Sequence, residues 1–172
     1  MNRLKGLYVW MRRIRNCRGF GIQSPTDYAF VRYVINEHWP YYQYKTLGQN
    51  DDWLTRKLGR LYFRLANWRQ PTAMLHDRYE NYWRAGCRRV TFADTLERVE
   101  MARIDCDEQR FEQLAARCDD RSAIIIEGIF QNDTFWQRVK DDVRVSITYD
   151  LYYCGIVFFD PKRVKQHYVI NF

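Results

Sequence analysis

The sequence predicts an α/β protein: a shortened sheet that ends in antiparallel C-terminal strands and follows an N-terminal helical extension. Three observations carry this expectation. The apolar run AIII at residues 123–126 has the character of a strand buried on both faces, as parallel strands inside an α/β sheet are. Val143, Val145, Ile147, Tyr149 and Leu151 alternate with polar residues at period two, which predicts a half-buried strand. Between these segments Asn132 or Asp133 can cap a short helix running to Asp142. Gly155 is expected to break the alternating strand, and residues 156–159 and 168–172 to return antiparallel.

Taken from the N-terminus, residues 1–16 suggest a basic amphipathic helix, with Leu4, Leu7, Tyr8, Met11 and Ile14 at helical spacing and Arg3, Arg12, Arg13 and Arg15 elsewhere. Gly19 and Gly21 end it. Ser24, Pro25 and Asp27 then give a hydroxyl cap, a proline at the first helical position and an acid in the first turn, so a second helix is expected to about Glu37. The aromatic-rich segment 38–50 is interrupted by Pro40 and Gly48 and reads as a connector. A third helix follows Asn50 or Asp51, with Trp53, Leu54, Leu58, Leu61, Tyr62, Leu65 and Trp68 as its apolar stripe and Arg56, Arg60 and Arg64 along one exposed side. Beyond Pro71 the expected order is a strand at 73–76, a helix at 79–85 capped by Gly86, strands at 89–93 and 99–104, a helix at 108–118 and a strand at 122–126. This divides the chain into a basic helical extension with its aromatic connector, 1–70, and an α/β domain, 71–172. One junction is anomalous. Five residues, 94–98, separate two strands, whereas a parallel crossover needs a dozen or more, so either the pair is an antiparallel hairpin or one strand is misassigned.

Composition excludes several classes. A chain of 172 residues with 47% apolar and 17% aromatic content is globular and long enough to bury a core. It lacks the run of about 18 apolar residues that spans a bilayer, and its N-terminal apolar patch is shorter than a secretory segment, so no membrane association and a cytoplasmic location are expected. Five cysteines without CxxC spacing suggest free thiols and no zinc site; a catalytic cysteine would have only His38, His76 or His167 as its base. The net charge of +7 is uneven: residues 1–70 hold 13 Lys and Arg against 4 acids, and the remainder 15 against 17. Arginine supplies 22 of the 28 basic residues, a bias that suits phosphate or carboxylate recognition or ordinary surface solvation.

Three segments together resemble a bacterial family of class I S-adenosylmethionine-dependent methyltransferases: RNCRGFGIQSPTDYAFV at 15–31, KLGRLYFRLANWRQP at 57–71, and the block from Arg121 that includes VRVSITYDLYYCGIVFF and KQHYVINF. The resemblance implies a Rossmann-like methyltransferase sheet and, if the protein is active, S-adenosylmethionine as cofactor. It also implies an acid and a glycine-rich turn after the first strand, and there this chain departs from the family. His76 stands where the acid would be and Arg78 where the first glycine would be, so a bulky cation is expected to fill the cofactor site. The short junction also removes the unit whose terminal acid holds the ribose; Asp94 stands there as either an imitation or a turn residue.

If a cofactor pocket survives, His76, Asp77, Asp105 and Glu127 are its candidate residues, since each follows an expected strand at the carboxyl edge. No metal is expected: Asp105 and Glu127 are two separated acids without a third oxygen ligand, and by the resemblance Gly128 stands where the family has a second acid. The resemblance and its gaps imply a degenerate, catalytically weak or inactive methyltransferase-like protein acting as a binding or interaction module. Two alternatives stand beside it: a divergent methyltransferase with a rearranged cofactor site, and a nucleic-acid binder using the Arg-rich helices, with Tyr8, Trp10, Tyr62 and Trp68 as stacking candidates. Association with a protein partner or with itself through the aromatic connector 39–44 is a further expectation.

Overall fold

Helix α3 (Trp53–Arg69) organises the first of two units in a computed structural model that describes residues 3–19 and 21–172. The sequence expectations that concern Phe20 and the side chains of Arg3, Leu4 and Cys17 lie outside the described residues. This first unit comprises Met1–Thr72, Asp77–Val90 and Asn171–Phe172; the second comprises Ala73–His76 and Thr91–Ile170.

In the helical unit, α1 (Arg3–Arg12) passes into a 3-10 turn (Ile14–Gly19), and α2 (Pro25–Phe30) continues as a π-helical turn (Val31–Ile35). Ser24 caps α2 by accepting from the Asp27 N–H. Asp52 caps α3: its carboxylate accepts from Leu54 N at 2.8 Å and from the Thr55 hydroxyl at 2.6 Å. Leu58, Leu61, Tyr62, Phe63, Leu65 and Ala66 on α3 are all buried. They pack on Val31, Val34 and Ile35 and on α4 (Glu80–Gly86), where Tyr62 and Trp83 stack at 4.8 Å between centroids. Gly59 admits the Tyr82 ring, which a Cβ there would meet at 2.4 Å. The aromatic connector is divided in its exposure. Tyr41 and Tyr44 pack edge-on to Phe63 at 4.9 and 5.3 Å, whereas Trp39 and Tyr42 are exposed. Helix α1 departs from expectation in that Leu7, Tyr8, Met11 and Ile14 all face solvent. Asn171 holds this segment by the main chain instead, donating to the carbonyls of Asn16 and Trp10 at 3.0 and 3.1 Å.

The second unit is mixed α/β. Strands β1 (Ala73–Leu75) and β2 (Thr91–Ala93) pair in parallel. Strands β3 (Val99–Asp105), β4 (Cys118–Glu127), β5 (Ile147–Asp150), β6 (Cys154–Phe158) and β7 (Gln166–Val169) form a sheet of order β3-β4-β6-β5-β7. β3 and β4 are parallel, β6 runs antiparallel to both β4 and β5, and β7 is parallel to β5. Helices α5 (Glu108–Ala115) and α6 (Asp133–Asp141) cover one core with Phe111, Leu114, Phe135, Trp136 and Val139 against Ile104, Ile124, Ile126 and Val157.

Several expectations are corrected here. The junction at 94–98 is neither hairpin nor crossover: β2 pairs with β1 and β3 with β4, and β1 lies beside β3. Helix α5 stops at Ala115 because Cys118 is already in register with Val99. The alternating segment begins its strand only at Ile147; Val143 is exposed, and in β5 the successive residues Ile147, Thr148 and Tyr149 are all buried, so both faces are covered. Gly155 lies within β6, and the break is the turn at Tyr152, whose φ is 70°. The last strand pairs parallel, not antiparallel. Among the described residues no helix is long and apolar enough to cross a membrane.

Candidate functional site

Two clusters concentrate the ionisable chemistry, one in each unit. In the α/β unit, parallel β3 and β4 place Asp105 and Glu127 in register at their carboxyl ends. Between them lies Arg103, two residues back on β3 and therefore on the same face as Asp105. Its Nη2 donates to Asp105 Oδ1 at 2.6 Å and to Glu127 Oε2 at 2.7 Å, and its Nε donates to Glu127 at 2.9 Å. The Arg103 and Glu127 side chains are only 6% and 10% exposed, against 76% for Asp105. A ligand seeking Glu127 would have to displace a largely desolvated ion pair with Arg103.

His76 is exposed at the end of β1; its N–H donates to the Ala93 carbonyl at 3.2 Å, and its ring lies 5.9 Å from that of Phe92. Asp77 belongs to the helical unit, where its carboxylate accepts from Tyr79 N at 2.6 Å and from the Trp83 indole at 2.9 Å, bonds that set the entry into α4. Arg78 is exposed with its guanidinium over the Tyr79 ring at 5.1 Å, so it is turned onto its neighbour. Asp94 is exposed just past β2. Thus Asp105 and Glu127 are brought together, and Asp77 is tied into the start of α4. Arg103 went unrecognised in the sequence. The available signal was an arginine flanked by Ala102 and Ile104 in the strand VEMARID, since a buried guanidinium requires partners.

The second cluster stands on α3. Arg56, Lys57, Arg60 and Arg64 line a cavity of ≈ 250 Å³ together with Ile35, Asn36, Glu37, His38, Trp53 and Phe172. The expectation of an exposed arginine stripe is corrected: Arg64 is buried, with Nε donating to the Val34 carbonyl at 2.6 Å and Nη2 to that of Ile35 at 2.8 Å. It satisfies carbonyls at the end of the π-helical turn. Arg56 similarly ties the preceding loop, donating to Gly48 O at 2.9 Å and Asp51 O at 2.9 Å. Arg60 differs from both. Its guanidinium lies 4.8 Å from the Tyr44 ring centroid, and its Nε is buried without a hydrogen-bond partner. The Lys57 ammonium lies 4.4 Å from the Phe172 ring and 5.4 Å from that of Trp53. At the rim, Glu37 accepts from the Tyr41 hydroxyl at 2.7 Å, and burial together with that bond pushes the phenol up to about 12.

Cysteine chemistry has little support among the described thiols. Cys87 and Cys154 are buried, and burial pushes Cys118 up to about 12. Of the aromatics named for base stacking, Tyr62 is core, Trp68 packs on Phe30 at 4.8 Å with part of its ring exposed, and Tyr8 and Trp10 are exposed. No family model, curated protein or solved structure matches the chain.

Proposed function

We propose that the chain is a degenerate methyltransferase-like protein, catalytically weak or inactive, that serves as a binding module. The observation that carries this reading is the Arg103 guanidinium bridging Asp105 and Glu127, the two acids at the carboxyl edge where a doubly wound sheet takes its ligand. The use of Asp77 to start α4 adds to it. The Rossmann-like assignment is supported by the parallel β1–β2 and β3–β4 pairs and by the placing of antiparallel β6 between β4 and β5. Isothermal calorimetry of the folded protein with S-adenosylmethionine and S-adenosylhomocysteine tests the proposal. No saturable heat is expected with either. Micromolar binding abolished by Asp105→Ala would instead establish the divergent enzyme.

A second reading, binding of single-stranded nucleic acid on α1, is favoured by the exposure of Tyr8 and Trp10 and by the Arg12 guanidinium 5.8 Å from the Tyr8 ring centroid. Retention of RNA or DNA that falls steeply with salt and is lost in Tyr8→Ala/Trp10→Ala would support it; retention unchanged by that pair of substitutions would contradict it.

A further inference from the structure

We infer that the α3 cavity is a binding site for a small phosphate monoester, with Arg60 as its principal anion ligand. The site lies wholly in the helical unit and does not depend on the ancestry of the α/β unit. Four cationic side chains face one carboxylate, that of Glu37, around the same space, and the excess matches a dianion better than a single carboxylate.

The division of labour among the cations singles out Arg60. Arg56 and Arg64 spend donors on backbone carbonyls, and Arg64 also donates to the Tyr44 hydroxyl, so they hold the walls of the cavity and add positive field. Arg60 has a buried Nε with no partner, and a guanidinium donor withdrawn from water without an acceptor is costly until a ligand supplies one. Its contact with Tyr44 fixes the plane of the fork, which leaves less freedom to lose when two phosphate oxygens are engaged. Lys57, one turn earlier, adds a point charge on the same side.

Size and lining restrict the rest of the ligand. A cavity of ≈ 250 Å³ lies just below the range of about 300–1,000 Å³ typical of drug-sized ligands, which suits a small ligand. Trp53 and Phe172 provide apolar walls beside the cations, so a ring attached to the phosphate would be buried more favourably than a polar chain.

Phenyl phosphate is a suitable probe, titrated by calorimetry into the full chain at two salt concentrations, with inorganic phosphate and benzoate as comparisons. Saturable binding is expected, tighter than for inorganic phosphate and tighter than for benzoate. Arg60→Gln is expected to weaken it about tenfold or more, Arg60→Lys to weaken it less, and Arg110→Gln on the exposed face of α5 to leave it unchanged. Circular dichroism of each variant separates loss of the site from loss of the fold. Absence of saturable binding by folded wild-type protein, equal weakening in Arg60→Gln and Arg110→Gln, or benzoate binding as tightly as phenyl phosphate would each overturn the inference.

Discussion

Arg103 and Glu127 form a pair that water barely reaches, so each depends on the other for its hydration to be replaced. Arg103→Met removes the guanidinium from beside the buried Glu127 carboxylate; urea denaturation is expected to show a loss of about 3 kcal/mol. The double variant Arg103→Met/Glu127→Leu should recover most of that loss, because the buried negative charge is removed with the cation. A single-variant loss below about 0.5 kcal/mol would mean that the pair is solvated. The Thr55 hydroxyl and backbone bonds hold Asp52 below the usual carboxylate range, and the Arg144 guanidinium does the same for Asp142. A depressed folded pKa contributes stability that is present above the unfolded value of about 3.9 and is lost as pH falls through the folded value. Urea midpoints should therefore fall on acidification below about pH 4, and less steeply in Asp142→Asn than in the wild type. A parallel fall in both would remove Asp142 from the account.

Elements show why some of the fold was legible and some was not. Caps are local, so Ser24, Asp52 and Asn132 could be read, or placed within a residue, from the sequence around them. The apolar run at 123–126 identified β4 because burial on both faces leaves a continuous pattern. Gly155 was misread because its reason is non-local: a Cβ there would meet the Trp136 ring at 2.3 Å, a contact between β6 and α6 that no neighbouring residue announces. Gly155→Ala is accordingly expected to destabilise by about 1–3 kcal/mol through overpacking. Gly155→Ala/Trp136→Leu should lose less than the sum of its two single changes, as measured by denaturant midpoints; strict additivity would separate the two residues. The arginine ladder on α3 was visible as a spacing. That Arg64 turns inward was not, since its acceptors, the Val34 and Ile35 carbonyls, lie about 30 residues earlier.

At the scale of the whole molecule, ligand binding is proposed for the helical unit and not for the carboxyl edge of the sheet. The positive charge is concentrated in residues 1–70, which hold 13 Lys and Arg against 4 acids. The candidate residues were legible as strand ends, but their neutralisation was not, because Arg103 and Glu127 are 24 residues apart and meet only through strand register. Nitrogen-15 spectra of the arginine Nε–H groups and the backbone of the full chain, recorded with phenyl phosphate and then with S-adenosylhomocysteine, test this division most directly. Phenyl phosphate is predicted to shift Arg60 Nε and the amides of residues 35–38 and 53–60, and S-adenosylhomocysteine to leave Arg103 Nε, His76, Asp105 and Glu127 unmoved. Saturable shifts at Arg103, Asp105 and Glu127 with S-adenosylhomocysteine, and none at Arg60 with phenyl phosphate, would contradict it.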